Sequence, residues 1–410
     1  MTPRRLFSSL TIVWAKPDYR TFFLLLLVSS IGTSASAPLI ALYLVDRLHV
    51  PLSLVGLYFV CQALPGFVAG VMIGRWSDRW RSRIPIIRVA SVSSAIGWVI
   101  FAFSPYVWLD YAVAVVFFGL GGAAMGQAFA AVHDVMTRDD ESQPGLINSA
   151  VRTGWSFGFV FGPVLGTMLA AHAGFRIAFL VPAALSLANL VLLRGVDIPV
   201  VARRDDRAAP EGFRSNLLLY LFAALTVLVL CGTAIKNSYL PIDVTTHLHG
   251  TVGLYGTIVA VSPIVELVAM PLCGILSLRY PLGRLIAIGL GVATVEYFLL
   301  SASTALWQIY LIQAMDAWVV AIIMGLGLTY AQRLAPDRAG LVSGTFGSSY
   351  GVAIVTGNLI GSAAVPLLGV PHIFFLPTAL CAVSLLTFLG IERASRRPVE
   401  QNVAAASSAR

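Results

Sequence analysis

Gly74-Arg-Trp-Ser-Asp78-Arg79-Trp-Arg81-Ser-Arg83 is a short basic turn held between two long apolar runs, residues 53–74 before it and 84–103 after it. About 20 apolar residues in helical rise cross the hydrocarbon core of a bilayer, so each run has spanning length. Neither shows the alternation that a membrane β-strand needs. The turn therefore joins two membrane-crossing helices on one side of a bilayer. The rest of the chain repeats the pattern. Of its 410 residues 58% are hydrophobic and 11% charged, against roughly 45–50% and about 25% in soluble domains. That balance excludes a soluble enzyme, and the scarcity of charge excludes a disordered chain and a coiled coil.

Twelve apolar runs are expected to span: residues 21–45, 53–74, 84–103, 108–131, 146–171, 175–193, 217–240, 254–277, 285–303, 307–331, 341–367 and 372–391. Met1 to Arg20 is polar and basic, and the run after it is too long for a signal peptide's apolar core. With even-numbered connections and both ends placed in the cytoplasm, that side holds 23 of the 27 Lys and Arg residues. The opposite side keeps only Arg47 and Arg176, while Arg152 and Lys236 fall within spans. An excess of basic residues on cytoplasmic loops accounts for the net charge of +8 and removes the reason to invoke nucleic acid. Trp108 and Trp307 open spans four and ten as interfacial anchors. Cys61, Cys231, Cys273 and Cys381 lie inside apolar runs and read as small buried hydrophobes, not as disulfides or metal ligands.

The chain also repeats itself. At an offset of 195 residues Gly145-Leu146 matches Gly340-Leu341, Gly162 and Gly166 match Gly357 and Gly361, and Phe179-Leu-Val-Pro182 matches Phe374-Phe-Leu-Pro377. Two parallel six-helix repeats with a substrate site at their interface form a known transporter architecture. The expected organisation is an all-α membrane protein: a first half at 1–194, a cytoplasmic linker at 195–215, a second half at 216–393 and a cytoplasmic tail at 394–410.

The basic turn, with Gly74, Asp78 and Arg79, resembles the interdomain loop signature that the major facilitator superfamily carries after its second helix. It departs from that signature at the second glycine, where Arg81 stands. A decayed copy, Gly274-Ile-Leu-Ser-Leu278-Arg279, follows span eight. Gly154, Gly158, Gly162-Pro163 and Gly166 give span five one smooth face for close helix packing. They also resemble the glycine-proline motif of exporters in that superfamily. Two longer stretches resemble the bacterial sugar efflux transporter family. One runs from Ala37-Pro38 through Tyr43 and Val55-Gly56-Leu57-Tyr58 and on to Asp78. The other runs from Gln313 through Gly325-Leu-Gly327, Tyr330, Gln332 and Leu334-Ala-Pro336 to Ser343. These resemblances imply the major facilitator fold and export of sugars or small glycosides.

Ionisable groups inside a bilayer are functional candidates by default, because they are costly there. Glu266, mid-span in helix eight, and Asp316, in helix ten, are the proton-coupling candidates. Gln313 lies three residues before Asp316, on the same helix face, and either residue can hydrogen-bond a polyol. Asp316 reads equally as a structural partner of Lys236, which lies within about a turn of it in depth. Glu296 in helix nine reads as structural. Gln62, Gln127, Trp155, Asn237 and Asn358 complete the substrate-binding candidates. Arg152 reads as pairing with His133, Asp134 or Asp139. The hydroxyls of Ser29, Ser30, Thr33, Ser34 and Ser36 suit either a substrate or a helix contact.

No Walker A loop, dinucleotide glycine loop or HExxH is present, so no enzyme, cofactor or metal site is expected and energy comes from a gradient. The expectation is a proton-coupled sugar exporter, working by alternating access as a monomer in the bacterial inner membrane. Its partners are protons, a small sugar or glycoside and the lipid bilayer. A multidrug or small-metabolite exporter of the same fold is the alternative.

Overall fold

The computed structural model describes residues 13–14, 16–77, 81–139, 144–198, 216–335 and 339–408. Among them twelve helices are long and apolar enough to cross a membrane. They are α1 (Pro17–Asp46), α2 (Leu52–Ser77), α3 (Ile84–Phe103), α4 (Val107–Arg138, with a π turn at Ala114–Phe118), α5 (Pro144–Ala173) and α6 (Phe175–Leu192). Then come α7 (Leu217–His247, closing in a π turn at Asp243–His247), α8 (Val252–Arg279), α9 (Leu282–Ser301), α10 (Leu306–Leu334), α11 (Ala339–Leu368) and α12 (Phe375–Ser408). Helices are what hydrocarbon requires, since each satisfies its backbone N–H and C=O groups internally. Several run past the apolar limits: α1 starts at Pro17, a good first-turn residue that needs no N–H partner. The expected linker lies largely outside the described residues, and α12 continues past residue 393 to Ser408.

The chain divides into two compact units: Met1–Ala209 with Asn237–Pro263, and Pro210–Lys236 with Ile264–Arg410. Within unit 1, the glycine face of α5 lies directly on α1. A Cβ at Gly154 would stand 2.6 Å from the Phe23 carbonyl oxygen, and one at Gly158, Gly162 or Gly166 would overlap Ser30, Ser34 or Ala35. The α1 hydroxyls serve this packing: Ser34 Oγ donates to the carbonyls of Ser30 (2.6 Å) and Gly158 (2.9 Å). Ser30, Thr33 and Ser36 bond carbonyls of their own helix, and Ser29 Oγ accepts from Asn189 Nδ2 at 2.9 Å.

Unit 2 repeats these contacts. Gly162 meets Ile31 and Ser34, and Gly357 meets Cys231 and Ala234, each partner 200 residues further on. Gly32 rests on Pro182, and Gly232 on Pro377. The helix ends agree as well. His49 and His249 both take the left-handed conformation, at φ 52° and 53°. Around them Val50 N–H donates to the Leu44 carbonyl (2.9 Å) as Gly250 N–H does to that of Val244 (2.7 Å).

Candidate functional site

The charged centre of unit 2 is built on α7, α9 and α10. Lys236 is 2% exposed, and its ammonium donates to Glu296 Oε1 at 3.0 Å and contacts Asp316 Oδ1 at 2.5 Å. Its position also lies over the Tyr297 ring, 5.9 Å from the centroid. Glu296 is fully buried, whereas the Asp316 side chain keeps 11% of its surface. Asp316 therefore forms the accessible edge of the cluster and Glu296 its closed end. One turn before Asp316, the buried Gln313 has a side-chain oxygen with no hydrogen-bond partner. Lys236 is held by both carboxylates, so its removal would set two buried acids side by side without that cation between them.

A second feature of unit 2 is a cavity of 580 Å³ between α7 and α11. Ala223, Ala224 and Gly344 give it room, and Thr345, Ser348 and Ser349 line it with hydroxyls. Its volume is within the range of small-ligand sites. Val227 on its wall lies nine residues before Lys236, or ~13 Å along α7 at helical rise.

The other sequence candidates fall elsewhere. Glu266 is half-buried on α8, and Asn237 is exposed. Asn358 is buried and donates to the Ile354 carbonyl at 2.9 Å. Trp155 is half-buried, its ring 5.4 Å from that of Phe159, at the margin of an apolar cluster shared by α1, α4 and α5. Gln62 is half-buried on α2.

Gln127 belongs to a cluster that the sequence did not suggest. Arg83, at the end of the basic turn, donates through Nε to Asp134 at 2.7 Å and through Nη1 to Gln127 at 3.4 Å, with both ion-pair members buried. The expected pairing of Arg152 with His133, Asp134 or Asp139 falls on a side chain outside the described residues. Asp134 holds Arg83, and Asp139 takes Arg138 at 2.8 Å and Lys16 at 3.2 Å. Hydrogen bonds from Arg138 and then Lys16 hold the Asp139 carboxyl below its ordinary value. Asp78 and Arg79 of the interdomain motif lie outside the described residues, as does the side chain of Arg152.

The profile of the Major Facilitator Superfamily matches residues 22–235 and 222–409. The chain belongs to the major facilitator superfamily. It is 26% identical to a putative sugar efflux transporter of Deinococcus radiodurans, covering 92% of this chain and 97% of the relative. It is 23% identical to sugar efflux transporter A of Escherichia coli, covering 90% and 94%. The multidrug resistance protein MdtG of Proteus mirabilis is 24% identical, at 91% and 95% coverage. Among solved structures, the nucleoside transporter NupG superposes with a TM-score of 0.74 at 13% identity, over 92% of this chain and 98% of that one. This superfamily member is a multi-pass membrane transporter and not an enzyme. Its charged centre and hydroxyl-lined cavity both lie in the second of its two repeats.

Proposed function

We propose that this superfamily member exports sugars or small glycosides in exchange for protons, by alternating access. The observation that carries the reading is the buried set of Lys236, Glu296 and Asp316, with Gln313 one turn from Asp316. A polyol is recognised by carboxylates and amides that accept and donate at fixed positions. Asp316 and Gln313 supply such groups, and the likeness to sugar efflux transporters over most of the chain supports the same substrate class. Asp316 and Glu266 are the coupling candidates, and Gln62, Gln127, Trp155, Asn237 and Asn358 remain substrate candidates. The chain sits in a bacterial inner membrane as a monomer with both ends cytoplasmic, as the distribution of basic residues supports. Its two halves and the linker between them follow the boundaries drawn from sequence, with Gly74, Asp78 and Arg79 bracing one state.

The likeness to MdtG favours a second reading, export of lipophilic drugs by the same fold. Inverted membrane vesicles separate the two. With an imposed proton gradient, labelled sugars and one lipophilic dye are offered to wild type, Glu266→Gln and Asp316→Asn. Gradient-dependent sugar uptake that fails in a carboxylate variant is the expected result. Dye uptake without sugar uptake overturns the sugar assignment. Equal sugar uptake in all three proteins removes both carboxylates from the coupling role.

A further inference from the structure

Glu296 is fully buried, and while its Oε1 takes the Lys236 ammonium at 3.0 Å, its Oε2 has no hydrogen-bond partner. The helices around it supply Lys236 from α7, Asp316 from α10 and the Cys381 thiol from α12, with Tyr297 next to it on α9. Lys236 is the one cation among these groups. Two carboxylates and one ammonium therefore leave the cluster one negative charge in excess, in a site whose most open side chain is 11% exposed. A buried carboxylate without a compensating charge takes up a proton in preference to remaining ionised. The excess is removed most effectively at Glu296, which is more buried than Asp316 and has an oxygen free to carry the proton.

We infer that Glu296 is the proton-binding group of a three-residue switch, in which its proton decides how firmly Lys236 holds Asp316. With Oε2 protonated, Glu296 is neutral and the ammonium is committed to Asp316. When the proton leaves, the ammonium is drawn between two carboxylates and its hold on Asp316 weakens. Asp316 and Gln313 then become available to the hydroxyls of a polyol. Proton and sugar thus compete for one state of one lysine, which is the condition an antiporter has to meet. The inference rests on the proton-coupled sugar reading and assigns it a different proton site, since Glu296 carries the proton and Asp316 carries the sugar.

Two measurements on the purified full chain test it. In proteoliposomes, Glu296→Gln holds the site in its neutral state, so the half-saturating sugar concentration in counterflow is expected to rise about tenfold and to lose the pH dependence that wild type shows. Sugar accumulation driven by a pH gradient falls at least about tenfold, which corresponds to roughly 1.4 kcal/mol. Gradient-driven accumulation at the wild-type level overturns the inference, as does a half-saturating concentration in Glu296→Gln that matches wild type or keeps its pH dependence. The second measurement needs no sugar: the Tm of the detergent-solubilised protein between about pH 5 and about pH 9. A proton held in the folded state makes stability fall as pH rises through the range where it leaves. Wild type and Glu266→Gln are expected to show that fall, and Glu296→Gln to lose it. The same fall in Glu296→Gln as in wild type overturns the inference. Because this measurement is independent of transport, failure of the sugar reading (no sugar movement by wild type) leaves it decisive. Should Glu296→Gln not assemble, Glu296→Asp takes its place. A shifted midpoint of the pH dependence then supports the site, and an unchanged midpoint overturns it.

Discussion

α3 and α9 are both 20 residues long and hold the same place in their repeats, but laid end to end they set Trp98 against Glu296. The neighbouring positions differ in the same way. Lys236 on α7 corresponds to Ser36 on α1, by the 200-residue offset that relates the glycine contacts of the two helices. Asp316, counted from the start of α10, corresponds to Phe117 in the π turn of α4. In unit 1 this region is filled by aromatic rings, with Trp98 4.5 Å from Phe118 and 5.8 Å from Phe179, centroid to centroid. In unit 2 it holds a buried cation between two acids. One backbone plan thus carries a stacked apolar core in one copy and an ionic centre in the other. Shared helix packing maintains the fold, and the residues that differ at equivalent positions are where function separates.

The sharpest way to break this comparison is to remove the cation. Lys236→Met leaves two acids facing each other without compensation, and breaking a buried pair costs ~3–5 kcal/mol. The equivalent Ser36→Ala removes only a hydroxyl bonded to its own helix at Gly32, for about 1 kcal/mol or less. Thermal unfolding in detergent compares the two, and similar Tm losses would show that the charged centre is not mutually dependent.

What the repeats share is tested by their glycines. Gly162→Ala and Gly357→Ala each force a methyl against the backbone of the facing helix, at about 1–3 kcal/mol for overpacking. Gly126, with open space around its Cβ position, gains helix propensity of up to ~1 kcal/mol on substitution by Ala. Tm values for the three variants should fall, fall and hold or rise. A tolerated Gly357→Ala would separate the repeats in packing as well as in charge.

A smaller effect sharpens the assignment of roles within unit 2. Asp316→Asn loses a charged acceptor and is expected to weaken sugar binding about tenfold, near 1.4 kcal/mol, measured as the half-saturating concentration in counterflow. Unchanged binding would detach Asp316 from the substrate. The smallest effect lies at the exposed cluster of Asp18, Arg138, Asp139 and Lys16. Because Asp139's carboxyl is held below its ordinary value, its contribution is present above about pH 4 and is lost as pH falls further. At neutral pH Asp139→Asn costs under ~1 kcal/mol, as exposed ion pairs do. The Tm difference from wild type should close as the solution is acidified.

The twelve spans were legible in the sequence because hydropathy over a bilayer's width is a strong signal, and the glycine face of α5 because its four-residue spacing survives any uncertainty about neighbours. The repeat was only half legible. Its offset of 195 shows in α5 and α6, whereas the α1 and α7 equivalence runs at 200 and emerges from the contacts of Gly32, Gly162, Gly232 and Gly357. Depth arithmetic along α7 and α10 anticipated that Lys236 and Asp316 can meet, since rise per residue is independent of packing. It could not place Glu296, because the rotation of α9 is decided by helices remote in sequence. Nor could it show Arg83 reaching back to Asp134, 51 residues away.

The changing offset between the repeats has a practical side. It stands at 200 between His49 and His249 at the ends of α1 and α7, and at 197 where Val55-Gly-Leu-Tyr58 recurs as Val252-Gly-Leu-Tyr255. It is 198 across α3 and α9, and 195 at Gly162 and Gly357. Each step falls in or near a connection, so insertions and deletions since the two copies were identical have accumulated there while the contacting helices kept their register. The turns after α1 and α7 are therefore natural seams, places to splice an epitope or a fluorescent tag, or to join segments of related transporters, without displacing the helices they connect.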